Sequence, residues 1–362
     1  MSGAAPHPQT GEQDDWFSQR VIAWQRRHGR RGLPWQDVRD PYRVWLSEIM
    51  LQQTQVSTVL AYYPRFLARF PDVASLAAAP LDDVLALWSG LGYYTRARNL
   101  HACARQVMER WGGRFPAAAA QLQTLSGVGR STAAAIAAFC NGERAAILDG
   151  NVRRVLARVF AIEGDLASAT GQRALWQRAE SLLPRRDLAR AMPAYTQGLM
   201  DLGATVCARR NPACAACPLA GHCLAARQGQ PERYPAKTRR PARRPQTLWL
   251  LHAVDGQGRV WLAARPASGI WAGLHCLPEY ASRADLLASL PEAARAAATQ
   301  QPPIAHALTH RDLDLRIITA RLPAAALKND EGRWHARAAW PALGLPAPVR
   351  RFLQEEAKLR NS

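Results

Sequence analysis

Apolar residues recur at helical intervals through the first two-thirds of the chain, then give way to alternation and short apolar runs in the last third. Residues 16–28 carry apolar groups at that interval, and Gly29, Gly32 and Pro34 end the helix they predict. Leu33-Pro34-Trp35 reads as a loop. After Asp40-Pro41, the 3.6-residue period predicts one helix from about Tyr42 to Tyr63, with Trp45, Ile49, Val56 and Leu60 facing a core. Glu48 falls off that stripe, about 20° around the wheel from Gln55 and near Gln52. It reads either as an exposed acid or as a carboxylate on a polar flank. Further helices are expected over 80–88, from Thr95 onward, around 117–125 and 131–140, over 152–160 and from Pro184 to Gly203. The stretch Ser89-Gly90-Leu91-Gly92-Tyr93-Tyr94 breaks the pattern before Thr95.

Past residue 246 the period changes to two. Residues 247–254 and 259–264, separated by Asp255-Gly256-Gln257-Gly258, predict a hairpin. A third strand over 274–278, an Ala-rich helix over 282–298, a strand over 313–320 and a closing helix over 348–359 complete a separate α+β domain, 247–362. Residues 227–245 hold Pro231, Pro235, Pro241 and Pro245 with seven basic residues against Glu232 alone, an extended charged linker. The polar stretch Met1 to Asp15 is unlike a signal peptide, and no run approaches the roughly 20 apolar residues of a membrane span. These features predict a cytoplasmic protein with a frayed start and no membrane partner.

Charge changes the picture. Against 28 Asp and Glu stand 47 Lys and Arg, a net +19 over 362 residues. Arg-rich codon bias explains the preference for Arg over Lys but not the excess of positive charge, so a polyanion such as nucleic acid is the expected partner.

Four stretches carry candidate chemistry. Cys207, Cys214, Cys217 and Cys223 form C-x6-C-x2-C-x5-C; on spacing alone a four-thiolate zinc and an iron–sulfur cluster compete, with disulfides the weaker reading. Gly127-Val128-Gly129, set between apolar helices, lets the chain turn tightly and aim backbone N–H groups at an anion; without a Gly-Lys-Ser/Thr ending, a DNA phosphate suits it better than a nucleotide. A plain helix–turn–helix without a ligand stays open. Asp149, before the basic helix Val152-Arg153-Arg154, is an N-cap by position, and a carboxylate fixed there could also stabilise a developing cation. Tyr93 and Tyr94 beside Arg96 and Arg98 read either as core or as a wedge between stacked bases.

Together with Leu33-Pro34-Trp35 and Trp45-Leu46-Ser47-Glu48-Ile49-Met50-Leu51-Gln52-Gln53-Thr54-Gln55-Val56, these motifs stand in an order that resembles the adenine DNA glycosylases of the MutY type, from about Trp16 to the C-terminus. The resemblance implies a mostly α helix–hairpin–helix glycosylase region over 16–228, with a six-helix barrel and a [4Fe-4S] cluster domain on Cys207, Cys214, Cys217 and Cys223. After a linker over 229–246 it implies a Nudix-like α+β domain that recognises 8-oxoguanine. It implies excision of adenine mispaired with 8-oxoguanine or guanine, by a nucleoid-associated monomer acting on double-stranded DNA. An abasic-site endonuclease would follow it. Glu48 resembles the general acid and Asp149 the carboxylate that stabilises or captures the oxocarbenium ion; Asn151 orients the pair. Ser131 stands where strand-cleaving relatives have a Schiff-base lysine, which implies a glycosylase without lyase activity. Gly127, Val128 and Gly129 would meet a phosphate, with Leu51, Gln53 and Tyr93 near the lesion pair. Thr309 and His310 keep two positions of the family's Phe-Ser-His loop, and Leu308 departs from its aromatic. The glutamate-rich Nudix helix is missing, so no diphosphate hydrolysis is expected. The rival readings are an endonuclease III-like pyrimidine glycosylase and lyase, and a non-catalytic DNA-binding scaffold.

Overall fold

The structure, a computed structural model, describes residues 15–236, 242–327 and 332–359. Most of the expected frayed start, part of the linker and the last three residues lie outside them. In chain order the helices before the first strand are α1 (Asp15–His28), α2 (Pro41–Leu51), α3 (Val56–Arg69), α4 (Val73–Ala78), α5 (Leu81–Trp88), α6 (Thr95–Trp111), α7 (Ala119–Leu122), α8 (Arg130–Asn141), α9 (Gly150–Val159), α10 (Ala169–Ser181), α11 (Leu188–Asp201) and α12 (Leu224–Arg227). The chain divides into two compact units, residues 1–77 with 102–239 and residues 78–101 with 240–362.

The first unit is helical because its apolar positions form stripes that only neighbouring helices can cover. α2 begins where Asp40 accepts from the Tyr42 N–H at 2.9 Å and Pro41 takes the first helical position. It buries Trp45, Leu46, Ile49 and Met50. The single helix expected over 42–63 is two. Gln53 adopts φ 56°, Gln55 caps α3, and the buried stripe resumes on Val59, Tyr63 and Phe66 while Leu60 turns outward. Neither Gly nor Pro marks that break. α7 is one turn, shorter than the helix expected there, and α11 ends in a π-helical turn (Leu202–Val206) that delivers the chain to Cys207. α1 and α11 approach closely at Gly198, where an added Cβ would lie 2.8 Å from Val21 Cγ1.

In the second unit the strands are β1 (Arg244–Val254), β2 (Val260–Ala264), β3 (His275–Cys276), β4 (Glu279–Tyr280), β5 (Thr299–Gln300), β6 (Ile304–Ala307), β7 (Arg311–Arg321) and β8 (Gly332–His335). They form one mixed sheet in the order β3-β2-β1-β7-β5, with β4 also on β1, β6 on β7 and β8 on β2. β1 runs parallel to β7 from Arg244↔Arg311 to Val254↔Arg321. The expected hairpin is therefore minor: β1 meets β2 antiparallel only at Val254↔Val260. Leu248 and Leu250 enter a core with α15 (Ala347–Leu359), whereas Leu251 and Ala253 enter one with α13 (Arg283–Ala288). A strand covered on both faces reads as an apolar run, as 248–254 does. Pro278 interrupts the third expected strand, and the expected helix over 282–298 splits at Pro291 into α13 and α14 (Glu292–Ala296). α5 packs here as well: an added Cβ on Gly344 would lie 2.7 Å from Leu85 Cβ.

Candidate active site

A cleft of about 1460 Å³ opens in the first unit, and Glu48, Leu51, Gln53, Ser131, Asp149 and Asn151 all line it. Glu48 sits in the last turn of α2, and Ser131 in the first turn of α8. Asp149 is the N-cap of α9, its carboxylate accepting from the Val152 N–H at 2.8 Å. Elements far apart in sequence thus place two carboxyl groups in one cavity.

Their environments separate them. Glu48 keeps some exposed surface along the cleft, yet loss of hydration dominates its carboxyl and, with the nearby Asp149 charge, raises its pKa from 4.5 to about 8. Burial also pushes Asp149 up, but the Val152 and Asn151 N–H groups and then the charges of Arg154 and Arg153 pull it back. Asp149 stays raised on balance, and its charge helps Glu48 to hold a proton. One acid and one anion in a shared cavity can divide the work of breaking a glycosidic bond.

The surrounding contacts fix the Asp149 turn. Ser131 Oγ accepts from the Leu148 N–H at 3.0 Å, tying α8 to the residue before Asp149. Asn151 Oδ1 accepts from Arg154 Nη2 at 2.9 Å. Arg154 reaches on to the carbonyls of Cys207 at 2.7 Å and Gly203 at 2.5 Å. Gly203 is required there, since an added Cβ would come within 2.6 Å of Asn151 Cβ. Sequence reasoning passed over both Arg154 and Gly203. Arg154 was visible only as one charge of a basic helix, and the Asn151/Arg154 spacing of three was its only local signal.

The remaining site residues lie elsewhere. Gly127 (φ 74°) turns the chain into α8, capped by Gly129; the Val128 N–H is used inside the turn, donating to Leu125 O at 3.1 Å, and its side chain is buried. Gln106 Oε1 accepts from the Ser126 N–H at 2.8 Å, holding the turn to α6. Arg130, next in sequence, pairs with Glu180 and covers the Trp176 ring at 3.9 Å. In the second unit Tyr93 is 48% exposed at φ 50°. Thr309 and His310 occupy the exposed turn between β6 and β7, where the Leu308 N–H donates to Arg311 O at 2.8 Å and Leu308 packs against the core below.

Cys207, Cys214, Cys217 and Cys223 line a second, mostly apolar pocket in the first unit, and all four are free. Among the described residues no three His, Cys, Asp or Glu side chains converge as ligands of one ion would, so the thiols ring the pocket. Arg158, 2% exposed, donates to Cys207 Sγ at 3.3 Å and to Ala208 O at 2.7 Å, and the Cys223 thiol meets Arg158 O at 3.4 Å. Burial first, then the neighbouring thiols, push Cys217 up to about 11. Four thiols around one apolar pocket, two of them, Cys217 and Cys223, held up by burial, suit a cationic centre that would offset their charge.

Comparison with known proteins agrees with this geometry. Residues 46–180 match the HhH-GPD superfamily of base excision DNA repair proteins, and residues 249–355 match the NUDIX domain. An adenine DNA glycosylase of Buchnera aphidicola subsp. Acyrthosiphon pisum (strain APS) is 35% identical over 347 residues, 94% of this chain and 98% of its own length. One of Homo sapiens is 43% identical over 225 residues, 60% of this chain and 40% of its own length. A solved thermostable thymine-DNA glycosylase, 30% identical, superposes with a TM-score of 0.53 over 59% of this chain and 97% of its own. Among the described residues no helix is long and apolar enough to cross a membrane. With two separated carboxyl groups in one cleft and a relative matched over nearly its whole length, the chain belongs to the adenine DNA glycosylases, hydrolases of N-glycosyl bonds in base excision repair.

Proposed function

We propose that this enzyme excises adenine mispaired with 8-oxoguanine or guanine in double-stranded DNA, without cleaving the strand. The observation that carries the chemistry is the placing of Glu48 and Asp149 in one cleft, where burial and the Asp149 charge hold Glu48 up at about 8. Adenine leaves poorly as an anion, so the acid donates its proton to N7 of the extruded base. Asp149, fixed on the α9 N-terminus, stabilises the oxocarbenium ion or captures it. Asn151 orients the pair. Ser131 offers a hydroxyl where a lyase needs an amine, and its hydrogen bond from Leu148 makes it a brace for the Asp149 turn.

Residues 16–228 form the catalytic region, 229–246 the linker and 247–362 the domain that reads 8-oxoguanine with Thr309 and His310. Gly127, Val128 and Gly129 position a phosphate, and Leu51, Gln53 and Tyr93 meet the bases near the lesion. Cys207, Cys214, Cys217 and Cys223 would hold a [4Fe-4S] cluster, which supplies bonds that close the 207–223 loop; the all-sulfur donor set supports that choice. The protein acts as a monomer on the nucleoid and leaves its abasic product to an endonuclease.

Incubation with a duplex carrying adenine opposite 8-oxoguanine, followed by alkali, tests the reading. Strand breaks are expected only after alkali. Breaks before alkali would mean a lyase, and no breaks at all would remove the assigned substrate.

A further inference from the structure

The segment before α6, in the second unit, is unusual in its backbone. Gly90, Gly92 and Tyr93 have φ values of 107°, 71° and 50°, so three of four consecutive residues are left-handed. For the glycines this is easy; for a tyrosine it costs free energy that the surroundings must return. The same tyrosine is 48% exposed, so its own ring contributes little packing to offset that cost.

Arg96 supplies the compensation. It is only 9% exposed, and its guanidinium lies between two rings, 5.2 Å from the Trp88 centroid and 5.6 Å from that of Tyr93. One nitrogen, Nη2, donates to Leu91 O at 3.1 Å and to Gly92 O at 3.2 Å. Its backbone N–H donates to Tyr93 O at 2.8 Å. One residue therefore engages the carbonyls of three successive loop residues and one face of the exposed ring. Trp88, fully buried, completes the seat by donating from Nε1 to Gly92 O at 3.1 Å.

Burying a charged group this far is costly and is repaid only where its geometry is used. Burial lowers the Arg96 pKa to about 10, which leaves it charged at neutral pH. What the arrangement fixes is the direction of Tyr93. We propose that Arg96 is a positioning residue that pre-sets the exposed Tyr93 ring for contact with DNA bases. This rests on the reading of Tyr93 as a DNA contact. Lysine could keep the cation over the rings, but not one planar group that reaches two carbonyls.

A double-mutant cycle on the full-length protein tests it. Binding is measured to a duplex with 2′-fluoro-2′-deoxyadenosine opposite 8-oxoguanine, whose fluorine destabilises a sugar cation and so keeps the duplex uncleaved. Tyr93→Ala is expected to weaken binding roughly tenfold, within the range for loss of one base–aromatic stack. Arg96→Met is expected to weaken it about fivefold, and the double variant to bind no more weakly than Tyr93→Ala alone. An Arg96→Met loss that persists undiminished without the Tyr93 ring would overturn the proposal, as would normal binding by Arg96→Met beside a weakened Tyr93→Ala. Should circular dichroism show Arg96→Met unfolded, Arg96→Lys takes its place, with about a threefold loss that again disappears in the Tyr93→Ala background. Full affinity in Tyr93→Ala alone would instead remove the reading of Tyr93, and the proposal with it.

Discussion

The cleft around Glu48 and the Leu308–His310 turn treat polar groups in opposite ways. In the cleft, burial raises the Glu48 pKa, a helix cap holds Asp149, and Arg154, bonded to Asn151, ties the start of α9 to the cysteine loop. At the turn, Thr309 and His310 stand in solvent and only Leu308 is anchored below. Chemistry needs a proton kept where water would remove it, and desolvation does that. Recognition needs donors and acceptors that a partner can still reach. Substitutions should therefore have large, kinetic effects in the cleft and smaller effects on affinity at the turn.

The largest expected effect is at the carboxylates. Asp149→Asn and Glu48→Gln should each lower single-turnover excision by at least about 1000-fold, combining loss of the acid or of the cation stabiliser, while duplex affinity changes little. Retained turnover in either would sink the division of labour. Next comes Gly203→Ala, whose methyl would press on Asn151 Cβ. Overpacking of this kind costs about 1–3 kcal/mol, so a lower melting temperature should accompany a rate loss of roughly 10- to 100-fold. An unchanged rate would show that Asn151 need not be held in place.

The pH dependence should separate cleft from turn without mutation. Glu48 binds its proton more tightly in the folded protein than in the unfolded chain, so its stabilising contribution is complete below about pH 4.5 and is lost as pH rises through about 8. The excision rate should follow that proton and fall towards tenfold per pH unit above about 8. In Glu48→Gln the fall in melting temperature between those pH values should shrink, and a difference curve without that change would refute the raised pKa. The smallest effects belong to the turn. Thr309→Ala should weaken discrimination of 8-oxoguanine over guanine by about tenfold, the value of one or two hydrogen bonds. Equal affinities of variant and parent for both mispairs would free Thr309 of that role.

Local signals made much of this legible. Asp40-Pro41 marks the start of α2, and Asp149 before a basic amphipathic helix gives both the cap and the carboxylate. The apolar run 248–254 indicates a strand, though only the structure reveals that its main neighbour is β7, more than 60 residues later. Other features depend on partners no local window contains. The break at 52–55 has no Gly or Pro to announce it, so the helical wheel relating Glu48 to Gln55 applied one phase across two helices. Glu48 was therefore found from its motif rather than its period. Gly203 and Arg154 matter only because α9 and the π-helical turn approach each other. Pro291 was in plain view, and it splits the Ala-rich helix because alanine content cannot replace a missing N–H.

The strands beside the 308–310 turn bear on how such a protein can change over generations. β6 is held in register with β7 from Ile304↔Leu315 to Ala307↔Asp312, and the Arg244 N–H grips His310 O at 3.0 Å just where β1 and β7 begin their long parallel pairing. Backbone hydrogen bonds do this work, and they are indifferent to which side chains project from the tip. Thr309 and His310 at the tip are thus a replaceable word in a fixed sentence, while Leu308 stays tied to the core below. An engineer testing the proposed recognition role would begin with those two residues, leaving Leu308 and the carboxylates untouched.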